Sequence, residues 1–166
     1  MTALEGYARE VVAQLLEKKL TISLAESCTG GMISSALVAW PGVSAALLEG
    51  CVCYSNAAKM RRLGVLTETL QKHGAVSAEC ALEMVHGICH TTGSDCGIAV
   101  TGIAGPDGGT AEKPVGLVYM AVQVKGCAVV REKVFRGTRA QVRREAAKYV
   151  LRELLNELER IGDKED

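Results

Sequence analysis

The chain predicts an α/β fold, a three-layer α/β/α sandwich around a mixed sheet of about five strands, and three patterns carry that expectation. Short apolar runs at 21–25, 50–54 and 95–100 alternate with segments of helical periodicity, as expected of a sheet covered by helices. Two longer strand-like runs, 115–124 and 127–135, flank Lys125-Gly126 and read as a C-terminal antiparallel hairpin, which makes the sheet mixed. A long helix from about Thr138 to Glu159 closes the pattern, with Val142, Ala146, Tyr149, Val150 and Leu154 on its apolar face.

Taken in order, Tyr7, Val11, Val12, Leu15 and Leu16 recur at helical spacing and predict an amphipathic helix over 4–19. The first strand, 21–25, runs into a polar turn, and a helix follows from about 29 to 39, broken by Pro41-Gly42. Glu49-Gly50 punctuates the next apolar stretch, so the second strand is placed at Gly50–Tyr54. Ser55-Asn56 can cap a short helix that runs to Arg62 and stops at Gly64. Thr67–Lys72 reads as a further helical turn, and Ser77 as the cap of a helix over 78–91. Residues 95–100 form a buried third strand, and Thr101 to Gly109 a long loop. Asp163 to Asp166 reads as a frayed end. No repeat, low-complexity segment or linker is apparent, so residues 1–166 are expected to form a single domain.

Bulk composition excludes several classes. With 48% hydrophobic and 23% charged residues the chain has a globular composition. Lys+Arg and Asp+Glu are both 19, which argues against a partner recruited by bulk charge such as nucleic acid. Aromatics at 4% leave few platforms for stacking single-stranded bases. Met1 to Lys19 carries charges throughout and no apolar run approaches membrane-spanning length, so a cytoplasmic protein without a membrane partner is expected. The seven cysteines then read as reduced thiols packed as small apolar groups.

The polar turn Leu-Ala-Glu-Ser-Cys-Thr-Gly-Gly, residues 24–31, draws most of the chemical interest. Ser27 stands where a strand stops and a helix begins, among backbone N–H groups that lack helical partners and carry partial positive charge. Gly30 and Gly31 leave that backbone open to a ligand. Ser27 is either a helix cap or a nucleophile facing an anion site. A nucleophile needs a base. The three histidines, His73, His86 and His90, compose no convincing Ser-His-Asp set, which leaves a lysine. Lys59, in Tyr54-Ser55-Asn56-Ala57-Ala58-Lys59, lies at another strand-to-helix junction, and strand C-termini of an α/β sheet gather at one edge. Taken alone, Lys59 reads as a solvated surface lysine and Tyr54 as a strand-end aromatic.

The loop from Thr101 to Gly109 ends the third strand at the same edge and could converge backbone N–H groups on an anion. It matches neither a Walker A loop nor the dinucleotide fingerprint. Arg139 and Arg143, one turn apart on the last helix, could meet a phosphate or carboxylate, or form an exposed basic face. Glu83, His86 and His90 can share a helical face near Cys89, but an apolar stripe through Leu82, Val85 and Cys89 favours core packing over a metal. Cys51 and Cys53 point the same way along a strand without a second pair to complete a zinc set. Cys28 is a rival nucleophile, with a thiol at a helix start whose pKa could be lowered.

Together these segments resemble one family. Ala25-Glu26-Ser27-Cys28-Thr29-Gly30-Gly31, Tyr54-Ser55-Asn56-x-x-Lys59, Leu63-Gly64-Val65, His73-Gly74-Ala75-Val76-Ser77, Val100-Thr101-Gly102-Ile103-Ala104-Gly105-Pro106 and Lys113-Pro114-Val115-Gly116 occur in that order. The set is similar to the CinA C-terminal domain family, over roughly residues 5–158. The resemblance implies a bacterial nicotinamide-nucleotide amidohydrolase (NMN deamidase), with Ser27 as nucleophile and Tyr54 and Lys59 as its catalytic partners. It implies no metal, no cofactor, a small-molecule nucleotide as partner, and a homo-oligomer, a dimer by family expectation. The substrate-binding set falls on Cys28, Thr29, Gly30 and Gly31, on Thr101, Gly102, Ala104 and Gly105, and on Arg139 and Arg143. Ala57 departs from the family pattern, where Glu is expected, and flanks the lysine without replacing it. Some relatives carry a second, N-terminal nucleotide-processing domain, for which this chain has no room. The expected chemistry is attack by Ser27 on the carboxamide, its proton passing to Lys59 directly or through Tyr54. The amides around Cys28 to Gly30 would stabilise the oxyanion, and the glycine-rich loop with Arg139 or Arg143 would hold the 5′-phosphate. A nucleotide-binding module without catalysis is the alternative, and a structural domain whose polar strand ends are ordinary turns is a third.

Overall fold

A computed structural model describes residues 1–162; the expected frayed end at Asp163–Asp166 lies outside the described residues. In chain order the elements are α1 (Ala3–Glu17), β1 (Ile22–Glu26), α2 (Met32–Val38), a 3-10 turn (Val43–Ala45), β2 (Leu47–Val52), α3 (Asn56–Leu63), α4 (Thr67–His73), α5 (Ala78–Thr92), β3 (Cys96–Gly102), β4 (Leu117–Val124), β5 (Cys127–Val134) and α6 (Arg139–Gly162). The sheet order is β2-β1-β3-β4-β5. Strand β1 is parallel to both β2 and β3, and β3, β4 and β5 pair antiparallel. The expected α/β sandwich around five mixed strands, with its C-terminal hairpin and long last helix, is the observed architecture.

Side-chain size sorts the two faces of the sheet. Ile22, Leu24, Ile98, Val100, Met120 and Val122 pack with α1, α2 and α6 in the larger core. On the other face the strands show Ala25, Ala99 and Ala121, which lets α5 lie close to the sheet through Ala81, Met84, Val85 and Ile88. Gly97 belongs to that face, and a Cβ there would overlap Cys89 Sγ. Gly87 serves the same purpose one layer out: a Cβ would overlap the carbonyl of Leu63, so the missing side chain lets α3 approach α5.

Two of the boundaries that differ from expectation have a local physical cause. Strand β2 begins at Leu47, three residues before Gly50, because an edge strand tolerates a charge: Glu49 sits outside and pairs with the Arg62 guanidinium. Helix α2 starts at Met32, because Gly30 and Gly31 both adopt positive φ and continue the turn beyond residue 29. Ser55 and Ser77 cap α3 and α5 as expected, accepting bonds from the amides of Ala58 and Cys80, and Gly64 ends α3 in the left-handed region.

Candidate active site

The parallel strands β1, β2 and β3 deliver three segments to one edge of the sheet. Ser27 follows β1, and its amide donates to the Val100 carbonyl of β3, which fixes the turn to the neighbouring strand. Past the end of β2 the chain passes through Cys53 and Tyr54 into α3. The Ser55 cap sets the helix phase so that Lys59 and Leu63, one turn apart, face inward. Lys59 is therefore 2% exposed, one of the largest fully buried side chains, and the surface reading of it is corrected. Its Nζ lies 3.0 Å from Ser27 Oγ, 2.9 Å from the Cys53 carbonyl and 3.1 Å from the Tyr54 carbonyl.

Ser27 does not cap α2. That task falls to Glu26, which is buried and accepts five hydrogen bonds. Oε2 takes the Thr29 hydroxyl (2.7 Å) and the amides of Gly31 (3.0 Å) and Ile33 (3.2 Å). Oε1 takes the amide and hydroxyl of Ser34, each at 2.8 Å. The helix-start amides expected to await a ligand are thus met by the chain's own carboxylate. Sequence reasoning quoted Glu26 without assigning it a role. The signal was there: an acid at a strand end, followed by a helix whose first residues include no Ser, Thr, Asn or Asp at the cap position Gly31.

Of the expected residues, Ser27, Cys28, Tyr54, Lys59, Thr101 and Gly102 reach one cavity, whereas Thr29, Gly30, Gly31, Ala104, Gly105, Arg139 and Arg143 are not among its lining. Ser27, Cys28, Tyr54, Asn56, Lys59, Ala75, Val76, Thr101 and Gly102 line a cavity of about 200 Å³. Asn56, Ala75 and Val76 were not anticipated in it. Thr101 is buried and donates to the Ala75 carbonyl (2.9 Å), which fixes that wall. Tyr54 is 58% exposed, and its hydroxyl accepts from Arg139 (2.9 Å) at the rim. Arg139 also donates to the Gly105 carbonyl (2.8 Å), and Ala104 beside it is buried in the core. Arg143 donates from Nε to the Cys28 carbonyl (3.0 Å) and from Nη2 to the Thr29 carbonyl (2.9 Å). The two arginines bind loops of the site and do not form a merely exposed basic face.

Electrostatics separates the candidate nucleophiles and bases. Burial disfavours the charged form of Lys59 and holds its pKa below the ordinary lysine value. Burial pushes the Cys28 thiol up to about 11, against the expectation of a lowered pKa, so the rival nucleophile is protonated at neutral pH. Burial likewise raises Cys80, near Lys59, to about 11. Cys51 and Cys53 place their sulfurs 3.6 Å apart, and all seven cysteines are free thiols. Glu83 is taken up by the Leu66 amide and the Thr69 hydroxyl, and among the described residues no group of three or more His, Cys, Asp or Glu is placed to hold a metal ion. No helix of the described residues is long and apolar enough to cross a membrane.

A model of the CinA C-terminal domain matches residues 4–158. The chain belongs to the CinA C-terminal domain family. Its fold follows that of solved bacterial members. The competence/damage inducible protein CihA from Agrobacterium tumefaciens is 42% identical and superposes with a TM-score of 0.91 over 96% of this chain and 97% of that one. The competence damage-inducible protein A (ComA) from Klebsiella pneumoniae subsp. pneumoniae is 37% identical, with a TM-score of 0.90 over 93% and 96% of the two chains. A Clostridioides difficile (strain 630) protein that carries the competence-damage inducible name is 50% identical over 160 residues. Those residues are 96% of this CinA domain and 38% of that relative, so the chain spans well under half the length of the curated relatives it matches.

Proposed function

We propose that this CinA domain hydrolyses the carboxamide of nicotinamide mononucleotide to nicotinic acid mononucleotide and ammonia, with Ser27 as nucleophile and Lys59 as its base. The observation that carries the proposal is the 3.0 Å approach of a buried amine to the Ser27 hydroxyl. The three partners of Nζ explain how lysine can act as base. The carbonyls of Cys53 and Tyr54 accept two N–H bonds, so a neutral amine has its lone pair left for Ser27.

In the first half-reaction the Ser27 proton passes to Lys59 as Oγ bonds to the amide carbon. Collapse of the tetrahedral intermediate returns that proton to the leaving nitrogen, and ammonia departs from an acyl-enzyme ester. Water then adds to the ester, giving its proton to Lys59, and Ser27 leaves as the alcohol. Transfer is direct, since the Tyr54 hydroxyl is engaged with Arg139 at the rim. The turn's own bonds occupy the amides of Ser27, Gly30, Gly31 and Met32. That leaves the Cys28 amide, on a residue that lines the cavity, as the oxyanion donor, since Thr29 is fully buried. The cavity is large enough for the pyridine carboxamide, and the 5′-phosphate is assigned to the rim, where Arg139 has N–H groups to spare beside the glycine-rich loop.

The test is release of ammonia and nicotinic acid mononucleotide by wild type and by Lys59→Met. Turnover by the wild type alone is expected. Near-normal turnover by the variant would remove lysine from the mechanism. Thermal stabilisation of the wild type by the nucleotide without turnover would replace the amidase with a binding module.

A further inference from the structure

The turn that carries Ser27 is gripped from two sides by opposite charges. The Glu26 carboxylate collects amide and hydroxyl donors from Thr29, Gly31, Ile33 and Ser34. The Arg143 guanidinium, brought by α6 from 115 residues further along the chain, collects the carbonyls of Cys28 and Thr29. Each charge meets the end of the peptide dipole that it attracts. The turn between them contains Gly30 and Gly31 at φ of 60° and 93°, a conformation that glycine adopts without strain.

We infer that Arg143 is a positioning residue that holds the Ser27 turn in the geometry from which Ser27 meets Lys59, an assignment that rests on the amidase reading above. The Cys28 carbonyl and the Thr29 N–H belong to one planar peptide and point in opposite directions. Holding that carbonyl at 3.0 Å from Nε fixes the orientation of this peptide, and with it the backbone that follows Ser27. Nη2 fixes the next peptide through the Thr29 carbonyl at 2.9 Å. Two donors at the fixed spacing of a guanidinium fit two successive carbonyls, which a lysine ammonium cannot reproduce. Gly30 accommodates the fork: a Cβ there would come within 3.3 Å of Nη2. A turn that keeps the nucleophile aligned with Lys59 acts on the chemical step more than on ground-state binding, so its loosening lowers kcat. A phosphate ligand would be felt chiefly in KM.

The experiment compares full-length wild type, Arg143→Ala and Arg143→Lys by steady-state kinetics on nicotinamide mononucleotide and by hydrogen exchange of the segment covering 27–34. Arg143→Ala is expected to lower kcat about 30-fold, equivalent to about 2 kcal/mol at the rate-theory conversion, with KM within about threefold. Arg143→Lys recovers only part of the loss. Millimolar guanidinium chloride raises kcat of the alanine variant and not of the wild type. Exchange of the 27–34 segment speeds up in both variants. A raised KM with kcat preserved would overturn the assignment and make Arg143 a substrate ligand, as would unchanged kinetics and exchange. Should the wild type fail to turn over the nucleotide, the amidase reading falls and exchange alone decides: acceleration in Arg143→Ala upholds the positioning role, and wild-type protection refutes it.

Discussion

Replacing Glu26 by Gln is expected to destabilise the fold by about 2–4 kcal/mol, although it removes a buried charge. An amide offers one acceptor oxygen where the carboxylate offers two. Placed at the Oε2 position, that oxygen can keep Thr29, Gly31 and Ile33. The NH2 group then faces the Ser34 hydroxyl, which can turn to accept from it, and the Ser34 amide, which cannot. The orphaned amide costs roughly 1–3 kcal/mol. Three bonds also change from charge-assisted to neutral, about 1 kcal/mol each. Relief from desolvating a carboxylate returns part of that sum. Urea unfolding followed by circular dichroism measures the difference, and an unchanged m-value would show that both chains unfold as one unit. For a chain of this length the melting temperature should fall by roughly 5–15 °C. A Glu26→Gln protein within about 0.5 kcal/mol of wild type would refute the view that this carboxylate holds the turn.

Three further outcomes follow from the same geometry. Because Lys59 must be neutral to act, kcat/KM should rise with pH through a pKa below 10.5 and then level off; a rate that is flat or falls over that range would contradict lysine as base. The same shift bears on stability. The unfolded lysine keeps a proton that the folded one gives up, so the stability of wild type relative to Lys59→Met should increase with pH up to about 10.5 and stay constant above it, as read from denaturation at a series of pH values. Gly87→Ala should cost about 2–3 kcal/mol in urea unfolding and lower turnover as well, since it drives α5 away from the Leu63 carbonyl in the helix that carries Lys59; unchanged stability would mean that α3 shifts freely.

What the sequence displayed of this fold was its local punctuation. Ser77, Gly64 and the Lys125-Gly126 turn determine helix and hairpin ends through their own backbone and side-chain bonds, so they could be read one residue at a time. The rule that strand C-termini of an α/β sheet share one edge likewise drew Ser27, Tyr54, Lys59 and the Thr101 loop together before any coordinates. What stayed hidden depends on packing across the chain. Lysine is rarely buried, and nothing within 56–63 tells that α5 packs against this helix, with Gly87 against the Leu63 backbone. The role of Glu26 was masked by the prominence of its neighbour: a serine before two glycines looks like a cap, and the capping carboxylate lies one residue earlier. Arg143 could not be told from a phosphate ligand, because its carbonyl partners lie more than a hundred residues away and carry no side-chain signal. At β2 the same limitation acts in reverse, since Glu49 looks like a break until its partner Arg62 is seen.

The most direct test of the central claim is ammonia release from nicotinamide mononucleotide by wild type, Ser27→Ala and Cys28→Ala, measured side by side with folding checked by circular dichroism. A serine nucleophile deprotonated by its buried lysine predicts release by the wild type, substantial release by Cys28→Ala, and none above background by Ser27→Ala. Release by Ser27→Ala at a rate near that of the wild type would contradict the account, leaving the contact between Ser27 and Lys59 as structure without chemistry.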